Sequence, residues 1–193
     1  MTAERRNEAD IGGHRPPLQT QIVIRYAEEA DLPAIVDIFN ATVPLRVATA
    51  VLEPVTVEER TAWFHEHSRD RHPLWVSEID GKIAGWMSFH SFIGRCAYRG
   101  TVEVSVYVHD DFRRRGVARV LLEHGIAESP RLEVTALVGL IMGHNAASLQ
   151  LFERMGFERW GVLPRVTRLG GVERDIVIVG QHIAQPREKT LSS

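Results

Sequence analysis

The run Arg113-Arg114-Arg115-Gly116-Val117-Ala118 carries the strongest local chemical signal in the chain. It follows a β-patterned stretch that ends near His109 and leads into Val117, Val120, Leu121 and Leu122, which recur close to a helical period. Such a junction puts unpaired N–H groups and the positive end of a helix dipole beside guanidinium groups, and that cradle suits a pyrophosphate. Gly116 would let phosphate oxygens come close to the backbone. The same residues also read as a solvated basic edge with a glycine that eases packing, because the spacing is not that of a nucleotide loop ending in lysine. The stretch before the loop, Thr101 to His109, alternates: Val102, Val104, Val106 and Val108 share one face, and Thr101, Glu103, Ser105, Tyr107 and His109 share the other. One face belongs to a core, and the opposite one presents a carboxylate and a phenol.

The elements that must hold these groups can be read along the chain. Residues 1–21 have no periodic apolar face and read as a flexible leader, and 184–193 as a short polar tail, leaving 22–183 as one domain. Val23, Ile24 and Tyr26 give a first strand. Asp31 is placed to cap a helix with Ile35, Ile38 and Phe39, and Thr56 with Glu59 has the capping-box spacing for a second helix closed by Pro73. Leu74 to Ile79 and Lys82 to Phe89 flank Asp80-Gly81, which predicts an antiparallel hairpin. After the arginine loop and its helix come a strand over Leu132 to Leu140, a helix capped by Asn145 and left through Gly156, and two strands, Phe157 to Leu163 and Val172 to Val179. Pro164 is expected to break the first of these, and Gly170-Gly171 to turn before the second. The order is strand, two helices, three strands, helix, strand, helix, two strands.

Composition narrows the function. With 193 residues, 44% of them hydrophobic, the chain suits one compact domain. A formal charge of -2 gives no support to nucleic-acid binding. Val134 to Met142, the most apolar stretch, is too short to span a bilayer, so no membrane partner is expected. One cysteine, Cys96, excludes an internal disulfide and fits a reducing, cytoplasmic setting; it reads as a small buried side chain. His65 and His67 stand two apart on the second helix and face different ways, so no metal site is expected.

Taken together, the chain resembles the GCN5-related N-acetyltransferases. Arg113, Gly116 and Ala118 match the family's Gln/Arg-x-x-Gly-x-Gly/Ala loop, and the strand order agrees. Arg95-Cys96-Ala97-Tyr98, Thr101-Val102-Glu103 and Ser105-Val106-Tyr107-Val108 look like the branch that acetylates phosphinothricin and methionine sulfoximine, and Asn145, Ser148, Gly156 and Phe157 extend the match. The resemblance implies an α/β fold: a mixed central sheet with helices on both faces, its fourth and fifth strands splayed apart. It implies acetyl-CoA as co-substrate and no metal. The pyrophosphate would lie on Arg113, Arg114, Arg115, Gly116, Val117 and Ala118, and the pantetheine along Ser105, Val106 and Tyr107 with Asn145 and Ser148 beside it. Asn145 can equally be a plain helix cap.

Glu103 matches the family's glutamate that activates the amine. An ammonium with a pKa of about 10 has no lone pair, and a nearby carboxylate can collect its proton. Arg95, with Tyr98 beside it, would hold a substrate carboxylate. Where many relatives have a proton donor on the last helix this chain has Phe152, read here as core packing, so the departing thiolate is to be protonated by water or by another group, for which Tyr107 is a candidate. The acceptor would be the amine of a small amino-acid-like molecule such as methionine sulfoximine or phosphinothricin. The alternatives are another small amine, a protein N-terminus, or a non-catalytic acetyl-CoA-binding module. The resemblance also implies a homodimer.

Overall fold

A computed structural model describes residues 21–185. The expected leader and tail lie outside that span, apart from the residues where they join it. The elements are β1 (Val23–Tyr26), α1 (Leu32–Asn40), α2 (Val57–His65), β2 (Leu74–Ile79), β3 (Lys82–Ser91), β4 (Thr101–Val108), α3 (Val117–Glu128), β5 (Ala136–Met142), α4 (Ala146–Arg154), β6 (Glu158–Leu169) and β7 (Val172–His182). Their order is the one expected from the sequence. All seven strands form one sheet, β1-β2-β3-β4-β5-β7-β6, in which β4 and β5 run parallel and the other neighbours antiparallel.

Local chemistry explains the elements. Asp80 and Gly81 both take positive φ, 51° and 74°, the two-residue turn whose twist matches its flanking strands. Thr56 Oγ1 accepts from Glu59 N at 3.2 Å while Glu59 Oε2 accepts from Thr56 N at 2.8 Å, so the capping box forms as predicted. The alternation of β4 holds as well: its valines join the core beneath α3 and α4, with Met87, Phe89, Leu121 and Phe152. On the other face α1 and α2 pack a second cluster around Ile35, Phe39, Val76 and Trp86. Helices therefore cover both faces. Trp75 is fully buried and Trp63 half-buried, both packed within this chain.

Four expectations are corrected. Asp31 does not cap α1 with its side chain. Its carboxylate accepts instead from Arg25 Nη1 at 2.6 Å, Arg25 Nη2 at 2.8 Å and Glu28 N at 2.8 Å, ties β1 to the turn before α1, and is held below the usual carboxylate pKa by Arg25. β5 starts at Ala136, not Leu132: Leu132 and Val134 are buried, but Glu133 has a φ of 56° and turns the chain before the ladder begins. Pro164 does not end β6. That strand lies at the sheet edge, where a missing N–H is tolerated, and it runs on through a register shift between Leu163 and Thr167. Cys96 is exposed, on a short 3-10 turn at Cys96–Tyr98.

Candidate active site

Pairing between β4 and β5 covers only Thr101↔Ala136, Val102↔Leu137 and Glu103↔Val138. Beyond that point β4 continues to Val108 and β5 to Met142 without pairing, so the sheet opens after Glu103 as the expected splay requires. The facing backbone groups lack a ladder partner, and such groups call for one. The cleft gathers Ser105, Val106 and Tyr107 from β4, Leu140 and Met142 from β5, and Asn145 and Ser148 from the start of α4. Five of these seven were expected from the sequence; Leu140 and Met142 were not.

A segment that carried no signal in the sequence roofs the cleft. Tyr107 Oη donates to Ala48 O at 3.4 Å, Asn145 Nδ2 to Val47 O at 3.0 Å and His144 Nε2 to Arg46 O at 2.8 Å. Asn145 Oδ1 also accepts from Ser148 N at 3.1 Å, so one amide caps α4 and straps the roof.

Glu103 lies on the face covered by α1 and α2, opposite His90 on β3 and beside Val138 on β5. It is half-buried, and that burial raises its pKa above the ordinary carboxylate value. Tyr107, two pleats on, stacks on Trp86 at 4.5 Å and meets Phe39 edge-on at 5.4 Å. Burial pushes its phenol up to about 12, so it stays protonated at neutral pH.

His90 was missed. α2 ends at His65, so His67 lies past the helix, where its Nε2 comes within 3.3 Å of His90 Nε2. His67 Nδ1 is 2.9 Å from Trp63 O and must donate to it, which leaves Nε2 as an acceptor and assigns the shared proton to His90. Ser88 Oγ lies 3.1 Å from the same His90 nitrogen. The alternation of β3 puts Trp86, Ser88 and His90 on one face, but only the strand register brings them beside Tyr107, Ser105 and Glu103. Burial, with His67 second, pushes the pKa of His90 down to about 4.

The arginine loop continues β4 past the divergence. Arg113 is tied to Asp110 at 2.6 Å, and Arg115 lies 5.5 Å from the Phe112 ring centre. Arg114 and Gly116 have φ values of 63° and 84°, and the space a Cβ on Gly116 would take is open. No side chain caps α3, so the N–H groups of Val117 and Ala118 are left for an external acceptor. Arg95 and Tyr98 are exposed on the loop that leads into β4, outside the cleft lining. Phe152 is core packing as expected, 4.8 Å from Phe157, and it also borders the cleft. Among the described residues no group of three His, Cys, Asp or Glu side chains is gathered as metal ligands would be.

This geometry has close counterparts. The acetyltransferase (GNAT) family model matches residues 32–157. YwnH of Bacillus subtilis is 42% identical over 164 residues, covering 84% of this chain and 100% of that protein. An L-methionine sulfoximine/L-methionine sulfone acetyltransferase of Pseudomonas paraeruginosa is 36% identical over 157 residues, covering 81% of this chain and 91% of its own. The crystal structure of a GNAT superfamily phosphinothricin acetyltransferase from Sinorhizobium meliloti in complex with AcCoA superposes with a TM-score of 0.80 at 25% identity, covering 87% of this chain and 94% of that one. With the family model spanning well over half of its length, and with a relative 42% identical across 84% of it, this chain belongs to the GNAT family of acetyltransferases.

Proposed function

We propose that this chain transfers the acetyl group of acetyl-CoA to the amine of a small amino-acid-like acceptor of the methionine sulfoximine or phosphinothricin kind. The observation that carries the reading is the divergence of β4 from β5 immediately after Glu103, with an uncapped helix start and two arginines free of ion pairs among the described residues at its far end. The relatives named above support the choice of acceptor class.

In this reading Arg114, Arg115 and the N–H groups of Val117 and Ala118 hold the pyrophosphate, with Arg113 shaping the loop through Asp110. Gly116 leaves room for the phosphates. Backbone groups of Ser105, Val106 and Tyr107 bond the pantetheine amides, and Asn145 and Ser148 flank the arm. Glu103 takes the proton from the acceptor ammonium, and the freed amine attacks the thioester carbonyl directly. Its raised pKa brings it nearer the working pH. Arg95 and Tyr98 steer the carboxylate of the acceptor. The Tyr107 hydroxyl, still protonated, donates to the departing sulfur.

The same reading makes the protein a homodimer in the cytoplasm. Edge strand β6 exposes Trp160, Val162, Leu163 and Val166, apolar side chains on an open sheet edge that a second copy would cover, and the exposed thiol of Cys96 suits a reducing compartment. Light scattering reads the first, and a mass equal to one chain would sink it.

The deciding experiment measures thiol release from acetyl-CoA with a panel of amino acids and amines. Turnover with methionine sulfone, methionine sulfoximine or phosphinothricin is expected. Tight acetyl-CoA binding with no release across the panel would overturn the reading.

A further inference from the structure

Arg60 stands one turn into α2, and nothing in the family match gave it a role. Its guanidinium carbon is 4.4 Å from the Phe39 ring centre and 5.2 Å from that of Trp63. The neighbouring acid, Glu59, is occupied with the backbone of Thr56. Among the described residues the Arg60 guanidinium makes no ion pair and no side-chain hydrogen bond, although the residue is half-buried. Five donors kept partly from water without a protein acceptor are costly unless an acceptor arrives from outside.

The ring contacts locate this cation. Phe39 meets Tyr107 at 5.4 Å, and Trp63 lies 5.8 Å from His90, the residue opposite Glu103. The aromatic seat of Arg60 thus spans the face of β3 and β4 between Tyr107 and Glu103. Its charge reaches Tyr107 and His90, opposing the rise in the pKa of the first and adding to the fall in that of the second. Arg95 lies exposed on the loop before β4, the strand that carries Glu103.

We propose that Arg60 receives an oxygen-rich group at the far end of the acceptor side chain, and so selects amino acids that carry a sulfone, sulfoximine or phosphinate there. The inference rests on the acetyltransferase reading above and adds a specificity residue to it. With the amine at Glu103 and the carboxylate toward Arg95, the acceptor side chain runs along β4 beneath Arg60. A planar guanidinium held against two rings loses little freedom when it meets paired oxygens.

The test uses the full chain and three acceptors: L-methionine sulfone, L-methionine, which lacks only the two sulfone oxygens, and L-methionine sulfone carboxamide. For Arg60→Gln, kcat/KM with the sulfone should fall by about tenfold or more, mainly through KM, as expected for lost hydrogen bonds to a charged group. The loss with methionine should be much smaller, so the preference for the sulfone collapses. Arg60→Lys should recover part of it, and acetyl-CoA affinity by calorimetry should match the wild type in both variants. Equal losses with sulfone and methionine would make Arg60 a structural residue and overturn the proposal. A loss that vanishes with the carboxamide would assign Arg60 to the carboxylate and overturn it too, as would a wild-type enzyme with no preference for the sulfone. If Arg60→Gln does not fold, Arg60→Lys alone must shift the sulfone-to-methionine ratio. Absence of thiol release from the wild type with every acceptor is a different failure, that of the acetyltransferase reading itself.

Discussion

Glu103 and His90 are direct partners across the β3–β4 ladder, so the proposed proton acceptor has a neutral imidazole, not a cation, as its cross-strand neighbour. The distinction matters for chemistry. A cation there would draw the carboxylate pKa down and weaken it as a base, whereas burial with no opposing charge leaves it raised.

Glu103→Gln should therefore lower kcat/KM by about tenfold or more, in line with the usual contribution of a positioned base. In the wild type the acidic limb of the kcat/KM profile should fall above about 4.3, the ordinary glutamate value, and the variant should lack that limb. Stability runs the other way. A folded pKa above the unfolded one favours the folded state at low pH, and that advantage is lost as pH rises through the folded value. Near neutrality the glutamine variant should thus melt no lower than the wild type. Full turnover with an unchanged pH profile would remove Glu103 from the reaction.

The His67–His90 pair makes stability pH-dependent in a second window. His90 has its pKa pushed from 6.5 to about 4, and His67 is lowered as well, both chiefly by burial. As pH falls through this interval the unfolded chain binds protons that the folded chain refuses, so stability drops on acidification and is flat above it. Urea unfolding compared near pH 7 and near pH 5 should show a smaller loss for His90→Asn than for the wild type. Parallel curves would mean that the pair is not buried in solution.

The arginine loop predicts a salt-dependent cofactor affinity. Arg114→Ala and Arg115→Ala should each raise the Kd for acetyl-CoA by about tenfold and reduce its sensitivity to ionic strength, since a guanidinium–phosphate contact is lost. Arg113→Ala should act more weakly on the salt response, because Arg113 already spends its charge on Asp110. Calorimetry at two salt concentrations separates these cases, and three identical responses would argue against the assignment.

What the sequence made legible follows from the range of each signal. The Asp80-Gly81 turn, the Thr56–Glu59 box, the Asn145 cap and the alternation of β4 are local, and each is present as read. The errors arose where long-range packing decides. Leu132 and Val134 look like strand residues because they are buried, yet a turn at Glu133 denies them a ladder. Pro164 stays within β6 because only an edge strand can spare its N–H. Cys96 is small enough for a core, but its turn lies at the surface. His90, Leu140 and the Val47–Ala48 roof enter the site only through strand register and tertiary hydrogen bonds, which no spacing in the chain encodes.

The strap from Asn145 provides a test of that roof. Asn145→Ala removes two interactions at once: the cap on Ser148 N, worth about 1 kcal/mol, and the tie to Val47 O. Asn145→Ser restores a capping oxygen on a side chain too short to reach the roof. If the two functions are separable, serine should recover most of the melting temperature lost in alanine, yet both variants should show the same rise in KM for acetyl-CoA. Hydrogen exchange at Val47 and Ala48 should speed up in both, since a loop tied by fewer side chains opens more often. A serine variant with normal KM and normal exchange would reduce Asn145 to a helix cap.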